Sequence, residues 1–280
     1  MKKINTLKEL RDKKGVLIAT HRGMVTGNIP HNTYPAFETA INHGTDMIET
    51  DLTMCKDGTI MIFHPRQEKN HLGLDVHLEE MTADEVKELR YLNDCRAATD
   101  FSPMTLDEFL DTYKNRCLIN LDHGWHFFPE MIHAVRKKNM EDQVLIKSPL
   151  KCEEDLQYAK IMEEIAPDMM YMPIFKNEDV TCEALEQMNV NFVGAELVFE
   201  TDDLEIASKK YIDSHHAKGR LLWCNSILYN CKKPLSGGHT DDISVSKDPE
   251  LGWGWIVDRG FDIIQTDWTL ALRNYLEKRA

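Results

Sequence analysis

The stretch "IETDLTMCKDGTIMIFHP", residues 48–65, decides how this chain is folded. Asp57-Gly58 lies between two extended apolar runs, the strongest short-range sign of a β-hairpin, because both central positions of its tight turn want φ > 0. A two-residue loop pairs Lys56 with Thr59 and carries Asp51 opposite His64. Glu49, two residues back, shares the face of Asp51.

Short β-rich runs recur outward from this point, at 15–20, 45–52, 59–64, 117–122, 143–148, 168–173, 191–197, 220–225 and 261–267. Helical patterns separate them. Asn32 is placed to cap a helix over 33–43 that ends at Gly44. Thr82 with Glu85 and Thr105 with Glu108 fit the capping box, and Ser148-Pro149 reads as an N-cap followed by Pro at N1. If 59–64 is the return arm of the hairpin, eight parallel strands remain, and alternation with helices predicts an α/β fold, a (β/α)8 TIM barrel. Residues 1–280 then form a single domain, with a hairpin and small insertion after the second strand. The stretches 65–104 and 226–258 exceed ordinary connections and are expected at the strands' C-terminal face, where barrels bind ligands.

The composition sets bounds. Apolar residues make up 42% and charged residues 29% of 280, enough for a substantial core in a soluble globular protein. No apolar run is long enough for a membrane span. "MKKINTLKELRDKKG" has no apolar core and does not read as a secretory leader. Seven cysteines without a C-x-x-C pair suggest neither zinc nor a disulfide framework, so a cytoplasmic location is expected. A net charge of −14 argues against nucleic acid and obliges any anionic substrate to find local cations.

Acids and histidines gather where strands end. His21 follows the first strand, Glu49 and Asp51 close the second, and Asp122 closes the third. In a barrel these share one rim. Two carboxylates about 4 Å apart repel by roughly 4 kcal/mol at an effective dielectric near 20. Three converging acids therefore take up protons or hold a cation, and an all-oxygen set suits Mg²⁺ or Ca²⁺. Glu196 at a later strand end either meets a substrate hydroxyl or pairs with a lysine. The stretch 237–255 in the late insertion is expected to close over the pocket, and its His239, Asp241 and Asp242 either bind alcohol groups there or form a polar loop. His31, His71 and most other histidines show no pattern that assigns a role.

The segments "ATHRG" (19–23), "PHNTYPAFETAINHGTDMIETDLTMCKDGTIMIFHP" (30–65), "MTLDEF" (104–109), "INLD" (119–122), "LLWCN" (221–225) and "GFDIIQTD" (260–267) resemble, in the same order, the glycerophosphodiester phosphodiesterase family. The resemblance implies His21 and His64 as the acid/base pair, Arg22 as a phosphate ligand, and Glu49, Asp51 and Asp122 as ligands of one divalent cation. Trp223 and Asn225 match a segment expected to wall the substrate pocket. Asp122 stands where the family usually has Glu, Pro65 where it has Asp after the second histidine, and Gly124 where it has Lys, for which Lys147 is the candidate replacement. The implied reaction is metal-dependent hydrolysis of a small-molecule glycerophosphodiester to glycerol 3-phosphate and an alcohol, directly or through a cyclic phosphate. A phospholipase D-like phosphotransferase that stops at the cyclic product, or a barrel that only binds a phosphorylated ligand, are the alternatives.

Overall fold

The computed structural model describes residues 6–229 and 232–279. Residues 1–5, at the start of the stretch expected not to be a secretory leader, and Cys231 lie outside the described residues. Eight parallel strands close on themselves: β1 (Leu17–His21), β2 (Met47–Met54), β4 (Leu118–Asp122), β5 (Val144–Pro149), β6 (Met170–Lys176), β7 (Gly194–Val198), β8 (Leu221–Asn225) and β11 (Ile263–Thr266). Pairing runs β1-β11-β8-β7-β6-β5-β4-β2 and returns from β2 to β1, which makes the sheet a barrel. β3 (Ile60–Ile62) pairs antiparallel with β2, and β9 (Leu228–Tyr229) with β10 (Lys233–Pro234) forms a short ribbon in the late insertion. Among the described residues no helix is long and apolar enough to cross a membrane.

Strand period dictates what the barrel encloses. On four of the strands one parity series starts apolar and turns polar toward the C-terminal end: Leu17, Ala19, His21; Met47, Glu49, Asp51; Leu118, Asn120, Asp122; Leu221, Trp223, Asn225. The apolar members pack with Leu7, Leu145 and Ile263 into one buried cluster. The opposite parity (Ile18, Ile48, Ile119, Ile146, Leu222, Ile264) joins the larger core shared with the helices. The barrel is thus oily at one end and charged at the other.

Acids at the oily end are neutralised. Asp46 pairs with Lys14 and with Arg273 (2.7 Å) and accepts the Ile18 N–H. Asp262 pairs with Arg11 (2.7 Å) and His216 (2.8 Å) and accepts the Leu222 N–H. These carboxylates stitch the N-terminal helix Leu7–Lys14 and the strands together, a stability role usual at that face.

Three local expectations are corrected. The hairpin loop has three residues, Lys56-Asp57-Gly58, because Cys55 rather than Lys56 faces Thr59 and Leu52 pairs with Ile62. Of the loop residues only Gly58 has positive φ (83°), as in a type I turn closed by a left-handed glycine. The Asp57 carboxylate accepts N–H bonds from Thr59 and from Ala83 in the insertion. The register is therefore slipped by one from the expected pairing. The ladder ends at Phe63, whose N–H still donates to the Asp51 carbonyl at 2.9 Å, so strand parity no longer governs His64.

Asn32 caps nothing. The helix runs Tyr34–Asn42 from Thr33, and Asn32, at φ 56°, turns inward instead. Ser148 and Pro149 belong to β5, where the Ser148 hydroxyl bonds the Tyr171 hydroxyl at 2.5 Å; the helix follows only at Leu156–Ile165. The capping boxes at Thr82 and Thr105 are present.

Candidate active site

The charged end of the barrel holds Glu49, Asp51 and Asp122, with one oxygen from each within 4.8 Å of the others. Glu49 is 2% and Asp51 1% exposed. Burial first, then the charges of Asp51 and Asp122, push the Glu49 carboxyl well above the usual glutamate range. Burial also opposes ionisation of Asp51, but Arg22, and after it His64, His123 and His21, outweigh burial and hold Asp51 below the usual aspartate range. Asp122, shorter by a methylene than the family's glutamate, still brings its oxygen into the group and accepts the His123 N–H at 2.9 Å. An oxygen-only set with this surplus of negative charge fits a hard divalent cation.

Arg22 sits at φ 55°, and Gly23 follows at 79°. That turn aims the Arg22 N–H at the main-chain and carboxylate oxygens of Glu49 (3.0 and 3.2 Å), while its Nε stands 2.6 Å from Asp51 Oδ2. A Cβ on Gly23 would lie 2.7 Å from the Ala36 carbonyl carbon, so only glycine lets the turn dock on the next helix. Asn32 completes the setting: its Oδ1 accepts from Thr50, and its Nδ2 donates to Asp51 at 3.4 Å. Left-handed backbone at Arg22, Asn32 and His123 concentrates strain around these carboxylates.

His21 pairs across the sheet with Glu49, and its Nδ1 lies 2.9 Å from Asp267 Oδ1. The Asp267 carboxyl is held low: burial alone would raise it, but His21 overcomes that. His64 puts Nε2 at 4.0 Å from Asp51 Oδ1 and Nδ1 at 2.7 Å from the Pro65 carbonyl oxygen. That carbonyl supplies the partner which Pro65, standing in place of the family's aspartate, cannot offer through its side chain. A carbonyl only accepts, so Nδ1 of His64 carries the proton and Nε2 is left with a lone pair. Burial, the largest influence, lowers the His64 pKa.

His123 was not anticipated. At φ 58° it sets Nε2 3.8 Å from Asp51 Oδ1, with its ring edge-on to His64 at 4.6 Å. The only sequence signal is its place directly after a strand-end acid. Gly124 beside it has no room for a side chain, since a Cβ would meet Met131 Sδ at 2.4 Å.

The remaining candidates form a second, closed group. Lys147 is 1% exposed; its Nζ lies 2.6 Å from Glu196 Oε2 and 3.0 Å from the Trp223 ring centroid. Asn225 donates to Glu196 (2.7 Å) and accepts from Trp223 Nε1 (2.8 Å). Lys147 thus points inward, not to solvent, and of the two alternatives for Glu196 the lysine pair is realised. Trp223 is fully buried beneath these polar groups rather than facing an open pocket. Breaking a buried ion pair on one side strands the other charge, at about 3–5 kcal/mol. Lys147→Met should therefore lower the urea midpoint by that equivalent, and Lys147→Met with Glu196→Gln should recover most of it; equal midpoints for wild type and single variant would contradict the pairing.

In the late insertion, His239 stacks on Trp255 at 3.8 Å and pairs with Asp202 (3.0 Å). Asp241 is buried and accepts from Ser226, Trp253, Thr266 and the Asp267 N–H at 2.6–2.8 Å. It fastens the insertion to the strand end that carries Asp267. Asp242 is exposed.

A protein family described only as a domain of unknown function matches residues 171–276. A glycerophosphodiester phosphodiesterase of Caldanaerobacter subterraneus subsp. tengcongensis is 27% identical over 146 residues, 47% of this chain and 57% of the relative. The chain thus spans little more than half the length of the curated relatives it matches. A glycerophosphoryl diester phosphodiesterase from Parabacteroides distasonis superposes with a TM-score of 0.80 at 17% identity, over 99% of this chain and 93% of that one. An Oleispira antarctica phosphodiesterase, solved with sn-glycerol-3-phosphate, gives 0.64 at 16% identity over 93% and 96%. The fold is the TIM barrel of the glycerophosphodiester phosphodiesterases.

Proposed function

We propose that this chain is a metal-dependent phosphodiesterase that cleaves glycerophosphodiesters to glycerol 3-phosphate and an alcohol. The observation that carries the reading is the placement of His21 and His64, each held through Nδ1, beside one three-carboxylate group. Mere binding of a phosphorylated ligand has no use for two proton carriers. The fold likeness and the product bound to the Oleispira antarctica protein favour the same substrate class.

Glu49, Asp51 and Asp122 would hold one Mg²⁺ or Ca²⁺, which would neutralise a non-bridging phosphate oxygen and lower the cost of charge build-up there. Arg22 neutralises the phosphate from the side of Asp51 and makes, in a chain of charge −14, the local positive spot that an anionic ester needs. His64, neutral with a free Nε2, takes the proton from the attacking oxygen, either the glycerol 2-hydroxyl or water. His21, whose Nδ1 proton is held by Asp267, gives the Nε2 proton to the departing alkoxide. Attack by the 2-hydroxyl gives a cyclic phosphate, which water then opens with the two roles exchanged. We assign Lys147, Glu196 and Asn225, paired with one another over Trp223, to substrate binding as the buried floor of the site, and the whole of 1–280 to one catalytic domain. The six described cysteines are unpaired, which favours a reducing compartment, the cytoplasm.

Phosphorus NMR of glycerophosphocholine incubated with the protein and Mg²⁺ tests this reading. Appearance of glycerol 3-phosphate is expected. Accumulation of a cyclic phosphate alone would mark a phosphotransferase, and an unchanged spectrum across several diesters would leave a binding barrel.

A further inference from the structure

Beside the catalytic rim, a cavity of about 260 Å³ opens between the loop after β1 and the insertion at 65–104. Its polar lining is His31, Asn70, His71, Asn93, Asp94 and Arg96. We propose that this cavity receives the alcohol half of the diester and selects an uncharged, hydroxyl-bearing head group, a polyol, over a quaternary ammonium or an acyl chain. The inference rests on the phosphodiesterase reading and adds the substrate class.

Position argues first. The His31 ring lies 6.3 Å from that of His21, the proposed proton donor to the leaving alcohol, and 5.3 Å from that of His71. His71 feels the charges of Arg22, His64 and Asp51. The two imidazoles therefore form the cavity wall nearest His21, the group that would protonate a departing alcohol.

Chemistry argues next. His31 Nδ1 is buried without a hydrogen-bond partner. Burial chiefly lowers the pKa of His31 to about 3 and that of His71 to about 4, so both are neutral and each ring offers one donor and one acceptor. A hydroxyl offers the same two functions, whereas a quaternary ammonium offers neither. Among the described residues no Trp, Tyr or Phe lines the cavity, so they offer no aromatic box of the kind that holds choline-like cations. Arg96 spends its terminal nitrogens on the Asn70 and Lys69 carbonyls (2.8 and 3.1 Å). The exposed Asp94 is opposed by that guanidinium within the same lining, so the cavity carries no net negative charge to draw a cation. Val25, Pro30 and Leu92 are its apolar lining, too little for an acyl chain.

The test compares kcat/KM for glycerophosphoglycerol, glycerophosphoinositol, glycerophosphoethanolamine and glycerophosphocholine, with bis(4-nitrophenyl) phosphate as a readout free of any natural head group. The hydroxylated heads should lead by about tenfold or more, the worth of one or two hydrogen bonds in a selective site. His71→Phe and Asn70→Leu should each collapse that ratio by lowering turnover of the hydroxylated esters toward that of glycerophosphocholine, with the bis(4-nitrophenyl) phosphate rate reporting the catalytic competence that remains. Parity or preference for choline or ethanolamine, or a ratio untouched by both variants, overturns the inference and leaves the phosphodiesterase reading standing. If no ester is cleaved, the phosphodiesterase reading fails instead. Calorimetric affinities of His21→Ala protein for glycerophosphoglycerol and glycerophosphocholine then still decide the cavity's preference: tighter polyol binding upholds it, and equal affinities reject it.

Discussion

Alanine in place of His64 is expected to lower kcat by a factor on the order of 10²–10⁴, the range supplied by a positioned acid or base. The Nδ1 bond to the Pro65 carbonyl fixes which nitrogen is free, and no other described group pairs His64 Nδ1. His21→Ala should cost a comparable factor on glycerophosphodiesters, whose alkoxide leaving groups need a proton. The two variants should part company on a 4-nitrophenyl ester. Its leaving group departs without protonation, so His21→Ala should regain much of its rate there while His64→Ala should not. The reverse pattern would exchange the acid and base assignments. Retention of most activity by either variant on the natural ester would end the paired scheme.

Chelation should remove turnover by a similar order, and Mg²⁺ or Ca²⁺ should restore it, since a bound cation supplies several kcal/mol of charge stabilisation in phosphoryl chemistry. The three carboxylates make this the natural expectation, because a buried Glu49 driven upward by two neighbouring acids is a group waiting for positive charge. Asp51→Asn is the sharper form of the experiment. Asp51 is the member shared by Arg22, His64 and His123, at 2.6, 4.0 and 3.8 Å. The variant should lose activity to the same extent and should also lose the rise in Tm that a native-state ligand confers on the wild type by mass action. A variant that keeps both its activity and its metal-dependent Tm would remove Asp51 from the cation site.

Much of this architecture was legible in the sequence. Strand period two and a helix between successive strands are local properties, and they sufficed for eight barrel strands plus a return arm. The same period, carried along each strand, gives an interior that runs from Leu17, Met47 and Leu118 to His21, Asp51 and Asp122. Because a parallel barrel puts all its strand ends on one rim, acids written far apart in the chain could be expected to meet. The charge surplus at Glu49 follows from that meeting.

What the sequence could not decide is whatever depends on partners from other elements. Asp57 has the composition of a two-residue turn, but its carboxylate also binds the Ala83 N–H of the insertion, and the loop took three residues. Asn32 looks like a helix cap because caps are recognised by nearest neighbours; Thr50 and Asp51, on another strand, claim it instead. Lys147 reads as an exposed lysine or a phosphate ligand until Glu196 and Trp223 arrive from β7 and β8. His123 and the cavity beside His31 follow no periodic pattern, since each is made by loops whose paths are set by tertiary packing rather than by period. Periodic segments announce themselves because backbone geometry repeats; a side chain's hydrogen-bond partner does not repeat, and only the folded chain names it.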